Sequence, residues 1–172
     1  MIDISEFDQV FKSVSKNHYP SHLHAQIQSA QKELGGVLFF NLLLNQLNIP
    51  GEHLYPPKNA KEFRELHRLI AHAKCQLHHK QSLLYYLLRD CSLVAKDKDE
   101  VAATQFQAEC SLPNKYWLCM QGLWDMDKLN YRVIISILCG PVMILTFNSK
   151  PFSFSLNLPY YQSSHPRFSQ PY

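Results

Sequence analysis

Nine histidines and five cysteines carry the richest chemistry in this 172-residue chain. His72, Cys75 and His79 stand three and four apart with His78 beside them, so one helix face could present several N and S donors. A zinc site wants four such donors in a tetrahedron. No second Cys or His pair has finger spacing, and His78–His79 fall where a helix end would favour an imidazolium. Exposed histidines beside a packed cysteine are the plainer reading. Asp97, Asp99 and Glu100 look like half of a calcium loop. Lys98 intervenes and no glycine follows at the sixth position, so a solvated helix start fits better. Asp125 and Asp127 lie two apart, which denies them a shared helix face. Capping the next helix accounts for Asp127. No GxSxG elbow, Walker A loop, dinucleotide fingerprint or HExxH is present. A Cys–His nucleophile pair would meet only in space. Cys75, Cys91, Cys110, Cys119 and Cys139 are its candidates, and their apolar surroundings favour packing over catalysis. The expectation is a protein with no metal, no cofactor and no chemistry of its own.

The elements that would position these residues read as helices. Ile4, Phe7, Val10, Phe11 and Val14 recur at three and four, a helix over Ile2–Val14. Tyr19-Pro20 breaks it, and Ser21 is a natural N-cap for Ser21–Leu34, which Gly35-Gly36 ends. Val37–Leu47 is apolar almost all round and rich in leucine, as a central helix is. An extended connection follows through Tyr55-Pro56-Pro57. Lys61–His78 reads as one amphipathic helix burying Phe63, Leu66, Leu69, Ile70, Ala73 and Leu77. Lys80–Cys91 carries a Leu83, Leu84, Leu87, Leu88 seam. Helices over about 96–110, Lys115–Met126 and Lys128–Cys139 complete the series. Asn148–Tyr172 holds four prolines, six serines and no helical or strand period. The spacing therefore predicts an all-α fold: an irregular helical bundle or short α-solenoid of seven to eight helices over 1–147, with an irregular or disordered tail over 148–172.

Composition narrows the partners. Hydrophobic residues make up 46% of the chain and charged ones 18%, enough for one core and too few charges for disorder. The net charge of +3 does not announce a nucleic-acid binder. Residues 61–90 hold six basic and three acidic side chains, a solvated helix face more than a phosphate stripe. An odd number of unpaired cysteines and an acidic N-terminus without an apolar leader fit the cytosol or nucleus. The longest apolar run, Val133–Phe147, is broken by Gly140-Pro141 and falls short of the roughly 20 residues of a membrane span.

Several motifs in order carry more information than any one. Leu54-Tyr55-Pro56-Pro57 precedes Phe63-Arg64-Glu65-Leu66-His67-Arg68-Leu69-Ile70. Then come Lys80-Gln81-Ser82-Leu83-Leu84-Tyr85-Tyr86-Leu87-Leu88-Arg89-Asp90, Leu112-Pro113, Gly122-Leu123-Trp124-Asp125-Met126-Asp127 and Gly140-Pro141. The series resembles the helical domain of the ELYS-like nucleoporins in its short fungal form, over about residues 30–147. The resemblance implies a non-catalytic scaffold at the nuclear pore or nuclear envelope. It implies docking on the outer-ring nucleoporins of the Y-shaped subcomplex, and support for pore assembly and nucleocytoplasmic transport. It implies no small-molecule substrate, no cofactor, no membrane span and no direct DNA binding, since no AT-hook core is present. Two departures stand out: Arg89 replaces the family's usual aliphatic residue, and the Pro/Ser-rich tail replaces further helices, as in a chain cut short at its C-terminus. Tyr55, Tyr85, Tyr86, Trp117 and Trp124 are the expected partner-binding aromatics. A chromatin- or RNA-associated nuclear adaptor using a basic 61–80 helix is the alternative.

Overall fold

The computed structural model describes residues 2–12, 19–93 and 100–130. The charged tract 96–99, most of the helix expected over Lys128–Cys139, the 147/148 boundary and the tail lie outside them. Within the described residues the elements are α1 (Phe7–Val10), α2 (Ser21–Glu33), α3 (Phe39–Gln46), a 3₁₀ turn (Glu52–Leu54), α4 (Ala60–Ala71), α5 (Leu77–Ser92), α6 (Glu100–Glu109) and α7 (Asn114–Asp127). The fold is all-α: no strand occurs among the described residues.

α5 is the axis. Gln81–Leu88, Asp90 and Cys91 are buried all round it, and it packs against α4, α6 and α7. α7 in turn covers α3 and α2, while α1 lies on α4. A helix with no wet side needs neighbours on every face, and the six residues Leu83–Leu88, all Leu or Tyr, supply the apolar area.

Helix ends follow local chemistry. α2 closes in a Schellman turn: Gly35 and Gly36 stand at φ 79° and 94°, and the Gly36 N–H reaches the Gln31 carbonyl at 2.8 Å. The same turn ends α3 at Asn48 (φ 55°), α6 at Ser111 (φ 49°) and α7 at Leu129 (φ 60°). In these three the N–H of Ile49, Leu112 and Asn130 closes on the carbonyl of Leu44, Gln107 and Asp125 respectively. At the start of α4, Asn59 Oδ1 accepts the Glu62 N–H at 2.9 Å, and the Glu62 carboxylate reaches back to the Lys58 N–H at 2.8 Å, a variant of the capping box.

Four expectations about elements need correction. α1 is far shorter than Ile2–Val14, because the Asp3 carboxylate ties the Ser5 N–H at 2.9 Å and the Ser5 hydroxyl at 2.7 Å into a local turn that competes with helix. Ser21 is the first helical residue rather than the cap; Pro20 holds that position with extended backbone. Lys61–His78 is not one helix. α4 stops at Ala71, where the His72 ring nitrogen Nδ1 meets the Arg68 carbonyl at 2.9 Å and Lys80 Nζ from α5 caps the Ala71 carbonyl at 2.9 Å. Leu77, expected on the buried face, starts α5 at 53% exposure. Lys128 begins no helix: it is the C-cap of α7, and Leu129 turns left-handed after it.

Candidate functional site

Two carboxylates sit at the centre of the molecule, both with no solvent exposure: Asp90 on α5 and Asp127 at the end of α7. Burial of a bare carboxylate costs several kcal/mol at least, so each demands donors. Asp90 has four. Tyr19 and Tyr55 donate their hydroxyls to Oδ2 at 2.9 and 2.6 Å. Trp124 Nε1 donates to Oδ1 at 2.8 Å, and Lys128 Nζ pairs with the same oxygen at 2.6 Å. A carboxylate offers about four lone-pair sites, and all are used. The donors come from the segment before α2, from the loop after the 3₁₀ turn and from two turns of α7. One side chain thus ties residue 19 to residue 128.

Asp127 works on a helix. Its Oδ1 accepts the Phe39 N–H at 2.7 Å and its Oδ2 the Phe40 N–H at 3.0 Å. These are first-turn donors of α3, whose own N-cap, Leu38, has no side chain able to satisfy them. The negative charge also sits at the positive end of the α3 dipole. Tyr86 adds its hydroxyl to Oδ2 at 2.7 Å. Asp127 therefore caps a helix nearly ninety positions earlier in the chain, not the one that follows it, which corrects the local-capping expectation. Burial pushes its carboxyl above the ordinary aspartate value, opposed by Tyr86, the two amides and Lys128.

The rings between the carboxylates interlock. Phe40 stacks on Tyr86 at 4.5 Å between centroids and tilts against Tyr55 at 4.4 Å. Burial first, and the nearby negative charge after it, hold the Tyr19 and Tyr55 hydroxyls well above the usual phenol range. Burial does the same for Tyr86. All three stay protonated as donors. Arg89, the departure from the family pattern, lays its guanidinium over the Trp124 ring at 4.6 Å. The contact houses a charge at the end of the leucine seam.

This placement puts four of the five expected docking aromatics in the core. Tyr55, Tyr85 and Trp124 are 4% exposed and Tyr86 is fully buried, so their rings build the core. Trp117 alone is half-buried at the surface, its Nε1 donating to Asn114 Oδ1 at 3.2 Å. Tyr19, Asp90, Lys128 and the buried His67 were not singled out from sequence as members of a site. The available signal was Asp90 itself, an acid one residue beyond the Leu83–Leu88 run of leucine and tyrosine, with Arg89 between.

The histidine and cysteine candidates are dispersed. His72 ends α4, Cys75 lies in the break and His79 sits on α5, so the single-face geometry is lost. Among the described residues no group of three or more His, Cys, Asp or Glu side chains is arranged to hold a metal ion. Burial raises the Cys75 and Cys119 thiols and pushes Cys110 up to about 11, the opposite of what a nucleophile needs. No described helix is long and apolar enough to cross a membrane.

Comparison with known proteins accounts for the motif residues that meet here. The profile described as "ELYS: Nuclear pore complex assembly" matches residues 37–158. The chain is also 28% identical over 135 residues to the "Uncharacterized protein ely5" of Schizosaccharomyces pombe, an alignment covering 77% of this chain and 42% of that one. The chain thus spans less than half the length of this relative. No solved structure matches it. The family match takes in every residue of the two carboxylate centres except Tyr19, and it extends over more than two thirds of the sequence: the chain belongs to the ELYS family of nuclear pore complex assembly proteins.

Proposed function

We propose that this domain is a rigid docking unit of the nuclear pore, seated on outer-ring nucleoporins of the Y-shaped subcomplex, and that it supports pore assembly and nucleocytoplasmic transport without catalysis. Membership of a nuclear pore assembly family is the observation that carries this reading. The saturated carboxylates are consistent with it: every donor and acceptor around Asp90 is spent on holding helices together, which suits a scaffold and leaves nothing poised for substrate. The nuclear envelope is the matching location.

Trp117 is the one proposed contact aromatic that retains surface. Exposed tryptophans that anchor interfaces typically contribute about 2 kcal/mol, a loss of roughly 30-fold in affinity on truncation. Affinity purification of the tagged full chain should recover outer-ring nucleoporins. Trp117→Ala should reduce that recovery while the circular dichroism spectrum keeps its helical signature. Recovery of chromatin or RNA instead, released steeply by added salt, would defeat the reading. So would full retention of the nucleoporins by Trp117→Ala as far as this surface is concerned. The adaptor alternative loses its physical basis in one respect. Its basic 61–80 helix is two helices, and Arg64 and Arg68 on it are paired with Asp8 and Glu65.

A further inference from the structure

Residues 2–12 lie as an arm against α4 and reach α6 through Lys12. Val10 and Phe11 are the arm's only fully buried side chains. Its fit to α6 is loose: Ile2, Asp8, Gln9, Lys12 and Glu109 surround an open cleft of about 430 Å³. Lys12 Nζ meets Glu109 at 2.8 Å, and Asp8 meets Arg64 of α4 at 3.0 Å. All four of these side chains are substantially exposed, and exposed ion pairs hold weakly. The arm therefore depends on its seat on α4.

That seat is built around a histidine. The His67 ring, 2% exposed, places Nε2 3.0 Å from the Ile4 carbonyl and stands edge-on to Phe7 and Phe11. The Arg64 guanidinium already lies over the Phe7 ring at 4.2 Å. A proton on His67 adds a second cation to the same aromatic nest, stripped of water and with His72 further along the helix. The opposing charge facing it from the arm is Asp8, which is spent on Arg64 and 83% exposed. The Ile4 carbonyl favours the proton, but burial outweighs it. Past the arm, the Tyr19 hydroxyl on Asp90 at 2.9 Å and its ring on Phe63 at 5.0 Å pin the chain again.

We propose that residues 2–12 form an acid-released latch: protonation of His67 frees the arm from α4 and α6 while α2–α7 stay folded. Release ends at Tyr19 and uncovers the faces of Phe63 and His67 against which Phe7 and Phe11 pack. The latch acts whichever nucleoporin the domain meets.

Amide exchange on the full chain tests it. The N–H groups of Gln9 and Val10 bond to the Glu6 carbonyl and that of Phe11 to the Phe7 carbonyl, so these three report the latch. Their protection, corrected for intrinsic exchange, should fall by up to about tenfold between about pH 7.5 and about pH 5.5, the most that one histidine confers a unit below its free value. Protection in α5 and α7 should hold. Asp3 and Glu109, kept below their ordinary values by the Ser5 and Lys12 bonds, stay charged through this window and do not produce the effect. His67→Gln, which can still donate to Ile4 and takes up no proton, should keep the arm closed at both pH values. Lys12→Gln, at an exposed pair where folding is not at stake, should loosen the arm at both and leave the pH dependence intact. Equal protection at the two pH values in the parent chain would overturn the proposal. So would the same loss in His67→Gln, or a pH dependence that disappears in Lys12→Gln. Loss of protection in α5 and α7 together with the arm would overturn it too, since the whole domain would then be unfolding.

Discussion

At the scale of single residues, Asp90 shows how a buried charge becomes a structural asset. An isolated carboxylate there would be prohibitive. Two phenols, an indole and an ammonium, all within 2.9 Å, replace its hydration shell. The pair with Lys128 is itself sequestered, the lysine side chain being 10% exposed. Attraction between such partners offsets their desolvation only while both are present. Asp90→Asn keeps the shape, removes the charge and leaves the ammonium buried without its counter-ion. It should lower the stability measured by urea unfolding by about 3–5 kcal/mol. Asp90→Asn combined with Lys128→Met should recover part of that loss, because the second change removes the stranded cation. A double variant no more stable than Asp90→Asn would mean that the phenol and indole bonds, rather than the ion pair, dominate. Asp90 was quoted in the sequence only as the last letter of a motif. Its role could not be seen there, since all four of its partners are more than thirty positions away.

Among the elements, the contact of α1 with α4 joins aromatic packing to a titratable group. Phe7 and Phe11 meet Phe63 at 5.2 and 4.7 Å and stand edge-on to His67 at 5.3 and 5.9 Å. The His67 Nε2 lies 3.0 Å from the Ile4 carbonyl. Burial holds the His67 pKa below the ordinary histidine value, opposed by the bond to the Ile4 carbonyl and by Asp8, with His72 and Arg64 adding to the lowering. A histidine whose folded pKa is depressed favours the neutral form. Its contribution is therefore complete above the unfolded value near 6.5 and is lost as pH falls through the window down to the folded value. Urea midpoints should fall as the pH drops below about 6.5, and His67→Gln, which can still donate to Ile4, should flatten that fall. An identical slope in the variant would show that His67 is not the group responsible; His79, lowered by burial in the same direction, would then be the next to replace. The helices themselves were largely legible, because 3.6-residue periods and Gly-Gly or Leu-Pro punctuation are local signals. The break between α4 and α5 was not. No glycine or proline marks residues 72–76, and the stop is made by Lys80 reaching back from the next helix to the Ala71 carbonyl.

For the molecule as a whole, the two carboxylates turn a series of helices into one cooperative body. Asp127 fastens the end of α7 to the start of α3, and Asp90 draws in the N-terminal segment, the Tyr55 loop and α7 around α5. Tyr55, Tyr86, Trp124 and Asp127 were legible as a set, through motifs in a family order. The three aromatics were expected as docking surface and Asp127 as a local cap, because large aromatics with polar tips serve interfaces and wet cores equally well. Tyr19 lies outside the family match and joins Asp90 to the part of the chain that precedes it. If the hub is what makes the domain unfold as a unit, its donors must be coupled. Tyr19→Phe and Trp124→Phe each remove one bond to a charged acceptor, worth about 1.5–3 kcal/mol, and the tryptophan change also loses ring area. Removing both lets the Asp90 carboxylate relax toward Lys128, so the double variant should lose less than the two singles combined, by about 0.5–3 kcal/mol. Unfolding followed by amide exchange in α2 and in α7 should remain coincident in each single variant. Strict additivity, or α2 opening well before α7 in the parent chain, would show that the N-terminal segment is an appendage rather than a member of the fold.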